Sequence, residues 1–180
     1  RLSEEQLEAI NTSLSTGVSV ITGGPGTGKT TMVLGLVRAI KSLNLNVTLC
    51  APTGKAAKRL GEATGLQKFN PSTVHRYLEN IKMFDVLIVD EASMLDIDLF
   101  QTLLATIPDG KQLVLIGDKD QLPPVGSGQP FKDIIEFLGW HNKSAGKTGL
   151  QNIDENINGI ISASYAIKNG RVPDGNFTLE

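Results

Sequence analysis

Cysteine, histidine and long apolar runs are scarce in this chain of 180 residues, and each scarcity closes off a class of protein. The single cysteine, Cys50, has no partner for an internal disulfide, and with only two histidines there is no Cys/His cluster at zinc spacing. The longest apolar runs reach about five or six residues, far short of the roughly 20 that a membrane span needs. No excess of one charge sign appears either: 17 bases against 19 acids leave a net charge of -2. That balance excludes a strongly basic nucleic-acid tail while allowing a local basic face. The opening residues, Arg1-Leu2-Ser3-Glu4-Glu5, are polar and acidic, unlike a signal peptide. A reducing, cytoplasmic setting with no membrane contact is the expectation. What is present, 40% hydrophobic and 20% charged residues, suffices for a packed core of one domain or slightly more.

The charges are unevenly placed. Between Ala9 and Gly61 there is no Asp or Glu, but Lys29, Arg38, Lys41, Lys55, Lys58 and Arg59 fall there. From Asp85 to Asp120 the bias reverses, with eight acids against Lys111 and Lys119. Ordinary surface variation is one explanation. The other is a segment that meets anions followed by one that supplies carboxylates to a cation.

Four β-branched or aliphatic runs, Val18 to Thr22, Val47 to Ala51, Val86 to Asp90 and Gln112 to Gly117, do not alternate with polar residues. That pattern suits strands buried on both faces of a parallel sheet. Helical spacing lies between them, over Lys29 to Leu43, Gly54 to Thr64, Ser72 to Asn80 and Asp96 to Ile107. Strand and helix in alternation predict βαβ units and an α/β sheet. Met94, Leu95, Leu99, Leu103 and Leu104 are expected in the core. After Phe137 the chain becomes rich in Gly and Asn, with helical spacing returning at Ile160 to Lys168. A boundary is therefore placed at 141, with 142–180 a loop-rich connection.

Gly23-Gly24-Pro25-Gly26-Thr27-Gly28-Lys29-Thr30 fits the P-loop pattern G-x-x-x-x-G-K-[ST]. At average composition the four fixed positions would arise by chance in about 1% of such chains or fewer. A strand before it and a helix after it supply the required context. Glycines allow backbone N–H groups to turn inward around phosphates, and the helix N-terminus adds partial positive charge. Lys29 is expected on the β- and γ-phosphates of ATP, with Thr30 on Mg²⁺; Gly24, Gly26, Thr27, Gly28 and Thr31 complete the nucleotide contacts. Val86-Leu87-Ile88-Val89-Asp90-Glu91 ends a buried strand in two carboxylates. Taken alone, such a pair is more often a helix cap than a catalyst. Beside a P-loop, Asp90 becomes a candidate to hold Mg²⁺ and Glu91 a candidate to activate the attacking water. Gly117-Asp118-Lys119-Asp120-Gln121-Leu122-Pro123-Pro124-Val125 follows the fourth strand, with Gln121 placed to sense phosphate or water.

The P-loop, the Asp-Glu-Ala-Ser of Asp90 to Ser93, and GDxDQLPPV, in this order, resemble the RecD/Dda branch of superfamily 1 DNA helicases. The resemblance covers roughly residues 2 to 136, the first motor domain, and implies a RecA-like, mainly parallel sheet with helices on both faces. It implies ATP hydrolysis coupled to 5′-to-3′ movement on single-stranded DNA, with other subunits of a helicase–nuclease complex as candidate partners. It also places the Gln112 to Gly117 strand between the P-loop strand and the Asp90 strand. Leu2 to Gln6 resembles the family's Q motif, in which Gln6 would meet the adenine edge; a capping box of Ser3 and Gln6 explains the same residues. Ala51-Pro52-Thr53-Gly54-Lys55 resembles a motif that contacts single-stranded DNA, implicating Pro52, Thr53 and Lys55. Ser72-Thr73-Val74-His75-Arg76 resembles the TxH motif, implicating His75, although a solvated helix start is equally natural there. Lys58 and Arg59 are further phosphate neighbours or a plain solvated face.

Two departures stand out. Only Leu78 to Phe84 separates the TxH motif from Asp85, too few residues for the family's pin hairpin. Leu150 to Asn156 matches a family motif that normally carries an arginine, and has none. A second motor domain is expected outside these residues. Other readings are another P-loop ATPase of DNA metabolism, such as a loader or packaging motor, and a nucleotide-gated DNA-binding module without efficient turnover.

Overall fold

A computed structural model describes residues 4–15, 17–141 and 150–153. Among the described residues six strands form one sheet: β1 Val18–Thr22, β2 Val47–Ala51, β3 Ser72–Thr73, β4 Val86–Val89, β5 Gln112–Gly117 and β6 Leu150–Ile153. Their order is β3-β2-β4-β5-β1-β6. The first five run parallel, and β6 adds to β1 antiparallel, pairing Val18 with Ile153 and Ile21 with Leu150. Strand β5 lies between β1 and β4, as the resemblance implied.

Alternate side chains of the central strands feed two cores, as the two-residue strand period requires. Leu87, Val89, Leu113 and Leu115 face one side; Val86, Ile88, Val114 and Ile116 face the other. On the second side lie α1 Glu4–Ser15, α2 Lys29–Ser42 and α3 Gly54–Thr64, contributing Ile10, Met32, Val33, Leu36, Val37, Ile40 and Leu60. The first is covered by α4 Val74–Glu79, α5 Ile97–Leu104 and α6 Pro130–His141, through Tyr77, Phe100, Leu103, Phe131 and Ile134. The result is a helix–sheet–helix sandwich with the central strands buried on both faces, which explains why they read as unbroken apolar runs.

Caps fix where the helices begin. Thr53, Thr73 and Asp96 each accept a backbone N–H through their side chains, from Ala56, Arg76 and Leu99. At the opposite edge of the sheet, Asp85 accepts from the Asn46 N–H at 2.7 Å and from Lys111 Nζ at 2.9 Å. These bonds, the Asn46 one first, hold its carboxyl below the usual range.

Three sequence expectations change. The segment Ser72 to Asn80 opens with the short strand β3, because Cys50 and Ala51 pair with Ser72 and Thr73 before α4 starts. Met94 is 40% exposed, not core, since it ends a 3₁₀ turn over Ala92–Met94, whereas Leu95, Leu103 and Leu104 are buried and Leu99 is half-buried. Within the stretch read as loop-rich, Leu150–Ile153 forms β6. The helical spacing at Ile160 to Lys168 and residues 154–156 of the arginine-less motif lie outside the described residues.

Candidate nucleotide and DNA site

The carboxyl ends of β1, β5 and β4 lie side by side, and each opens into one of the sequence motifs. Ligands of open α/β sheets bind at this edge. From β1 the chain enters the P-loop. Gly26 and Gly28 have φ of 77° and 80°, the left-handed region that favours glycine. At Gly28 a side chain would also collide with Gln6, whose Nε2 is 2.6 Å from where a Cβ would sit. Gly28 is the N-cap of α2 and has no side chain to cap it, so the first-turn N–H groups open toward the loop. Thr27 Oγ1 donates to Gly24 O at 2.9 Å, which cinches the loop. Lys29 Nζ donates to the carbonyls of Gly23 and Gly24, so its charge sits inside the cradle. Thr30 and Thr31 are exposed in the first turn of α2.

Gln6, on α1, directs its Nε2 to Thr27 O at 3.4 Å. The adenine and capping-box explanations both concern this amide, and one of its contacts is with the P-loop; Ser3 lies outside the described residues. Strand β4 delivers the carboxylates. The Asp90 N–H donates to Cys50 O at 2.9 Å, which anchors the strand end, and Asp90 Oδ1 accepts the Glu91 N–H at 3.0 Å. Burial pushes the Asp90 carboxyl above its usual range, and the Glu91 charge adds to this. The Glu91 N–H bond and the charges of Lys29 and Arg59 pull it back. Glu91 itself has φ 54° and ψ 35°. A left-handed glutamate costs on the order of 1–3 kcal/mol and tends to persist at functional turns. Cys50, behind this edge, has its thiol pushed up to about 11 by burial, which makes it an inert core residue.

Strand β5 supplies the third motif and is stitched to the first. The Gly23 N–H donates to Gly117 O at 3.2 Å, and the Lys119 N–H to Thr22 Oγ1 at 3.3 Å. Ser93 Oγ donates to Gln121 Oε1 and accepts the Asp118 N–H at 3.4 Å. Motif spacing alone did not single out Ser93 or Gly117. Gly117 is needed because an added Cβ would lie 2.9 Å from Phe131 Cζ and 3.0 Å from the Ser93 nitrogen. The only sequence signal for either residue was its place inside a motif.

The DNA candidates gather at the neighbouring strands. Parallel pairing of Ala51 with Thr73 sets the ends of β2 and β3 together, so Pro52-Thr53-Gly54-Lys55 and Val74-His75 emerge side by side. Lys55 and His75 are exposed, Pro52 is half-buried, and Thr53 is exposed while capping α3. Its hydroxyl accepts from Ala56 and retains a proton to donate. Lys58 forms an exposed pair with Glu62 at 3.7 Å, whereas Arg59 acts electrostatically on Asp90. No pin hairpin lies between α4 and β4 among the described residues.

A model of the AAA domain family matches residues 1–175. The chain is 40% identical over 185 residues to the ATP-dependent RecD2 DNA helicase of Deinococcus radiodurans, spanning 96% of this chain and 24% of that protein. It is 34% identical over 194 residues to the RecBCD enzyme subunit RecD of Mycolicibacterium smegmatis, spanning 89% of this chain and 35% of that one. Among solved structures, Bacteroides Pif1 bound to ssDNA aligns with a TM-score of 0.54 at 26% identity, over 76% of this chain and 36% of that chain. Pif1 helicase from Candida albicans aligns with a TM-score of 0.53 at 29% identity, over 70% and 34%. This chain therefore spans about a quarter to a third of the length of these proteins. With five parallel strands, a P-loop after the first and a family match running to residue 175, the chain belongs to the AAA domain family and is similar to RecD-type helicases.

Proposed function

We propose that this chain is the first motor domain of an ATP-dependent DNA helicase, coupling hydrolysis to 5′-to-3′ movement on single-stranded DNA. The observation that carries the reading is the meeting of P-loop, Asp90-Glu91 and Gln121 motifs at the ends of three adjacent strands. The names of the relatives agree with it. A division at residue 141, the end of α6, belongs to the same reading although β6 returns to the sheet beyond it, as do a cytoplasmic location and assembly with helicase–nuclease subunits.

The residues fit Mg-ATP. The glycine cradle would be filled by side chains, the N–H groups at the start of α2 lack a capping side chain, and the desolvated Asp90 carboxylate gains from a cation. Gly24, Gly26, Thr27, Gly28 and Thr31 offer backbone donors to the phosphates, and Gln6 reads the adenine edge. Lys29 exchanges its carbonyl contacts for the β- and γ-phosphates, compensating charge that grows in the transition state. Thr30 and Asp90 would hold Mg²⁺, which when bound neutralises the phosphate oxygens. Glu91 takes a proton from the attacking water. Gln121 registers the γ-phosphate, and Pro52, Thr53, Lys55 and His75 grip the DNA backbone.

The test is steady-state ATPase and unwinding by the longest natural polypeptide that carries these residues. DNA-stimulated hydrolysis with unwinding of 5′-tailed duplexes is expected. Hydrolysis that is indifferent to single-stranded DNA would contradict the motor reading and favour a loader or packaging ATPase.

A further inference from the structure

Gln121 can act on a nucleotide in two opposite senses. Its carbonyl would accept a hydrogen bond and so orient a water; its NH₂ group would donate to a phosphate oxygen. Sequence does not distinguish these, but the surroundings of Ser93 do. Ser93 is 9% exposed, and its hydroxyl accepts the Asp118 N–H and donates to Gln121 Oε1. If the amide were turned over, its NH₂ would donate to the hydroxyl, and the Ser93 proton would lose the acceptor it has here. A buried donor without an acceptor is costly, so the arrangement selects one orientation of the amide. The backbone around the pair is fixed from three sides. Glu91 is held in its left-handed turn, Gly117 admits the Ser93 nitrogen at close range, and Lys119 is tied to Thr22 at the root of the P-loop.

We infer that Ser93 is a positioning residue that holds the Gln121 carbonyl away from the nucleotide, leaving the NH₂ donors as the end that meets a γ-phosphate oxygen. The inference rests on the reading of this edge as an ATP site and adds Ser93 to it. A phosphate oxygen only accepts, so the end of Gln121 that meets it is the NH₂, and Ser93 holds the other end. One hydroxyl thereby connects the turn that carries Glu91 to the loop that carries the sensor, 28 residues apart in sequence.

The consequence is a specific pattern among variants of the longest natural polypeptide carrying this chain. Gln121→Glu keeps an acceptor for Ser93 but replaces the NH₂ donors with a charged oxygen. It should lose about 100-fold or more in ATP turnover and weaken ATPγS binding, while ADP affinity stays as in the parent. Ser93→Ala should lower kcat about fivefold to tenfold with ADP affinity likewise unchanged, and Ser93→Thr should restore most of the loss. In combination with Gln121→Ala, Ser93→Ala should add little, because the bond the two share is already gone and only the longer Asp118 N–H contact remains to lose. Matched thermal melts confirm that each variant is folded, and Lys29→Ala serves as the reference for the site itself. If Lys29→Ala leaves ATP binding intact, the nucleotide reading fails. If Lys29→Ala abolishes binding but Gln121→Glu turns over ATP normally, or the Ser93 and Gln121 effects simply add, the nucleotide reading stands and the positioning of Gln121 by Ser93 is overturned.

Discussion

Asp90 and Asp85 bracket β4, and their carboxyls are shifted in opposite directions. Burial lifts the Asp90 carboxyl, so the folded chain holds that proton more tightly than the unfolded chain does. Its contribution to stability is therefore greatest below the unfolded carboxylate value and declines as pH rises toward the raised folded one. At neutral pH the ionised group is a burden that the proposed cation would offset. Asp90→Asn should raise the melting temperature at pH 7, with little change at pH 3, while ATP turnover collapses; calorimetry at the two pH values checks it. Asp85, held low by the Asn46 N–H and Lys111, stabilises above the unfolded value and loses this as pH falls through the folded one. Asp85→Asn should lower the melting temperature at pH 7 and matter less in acid. The same response from both variants would remove the distinction between a functional and a structural carboxylate.

Elements explain which parts of this architecture could be read in advance. The strands β1, β2 and β5 match their apolar runs because burial on both faces leaves little room for polar residues, and α3 matches because Thr53 and Gly65 cap its ends. β6 was not legible: Gln151 and Asn152 occupy half of it, and pairing with β1 makes it a strand where its own composition does not. β3 is too short to carry a pattern. The Ser93–Gln121 bond joins segments that only the β4–β5 pairing brings together. Gly117 shows the same dependence, since its need for glycine arises from Phe131 on α6. Gly117→Ala should cost about 1–3 kcal/mol in denaturant unfolding, the usual price of overpacking. At the ends of β2 and β3, Lys55→Ala should reduce the salt slope of single-stranded DNA binding by about one unit, equally across sequences. An unchanged slope would move the DNA contact away from this edge.

For the molecule as a whole, the 180-residue chain carries the proposed binding and water-activating groups but no arginine from Tyr77 to Gly170. Arginines aimed at a transferring phosphoryl group contribute roughly 10³ to 10⁵ in rate. The isolated chain should therefore bind Mg-ATP yet hydrolyse it slowly and with little response to DNA; brisk DNA-stimulated turnover by the chain alone would make the single sheet a complete enzyme. Two strands separated by β5 are proposed to divide one reaction, β1 holding the nucleotide and β4 supplying the base. Nucleotide binding measured on Lys29→Ala and Glu91→Gln beside the parent is the test of this division. Glu91→Gln should bind Mg-ATP as tightly as the parent while hydrolysis falls about 100-fold or more, and Lys29→Ala should lose both. Equal loss of ATP binding in the two variants would contradict the division.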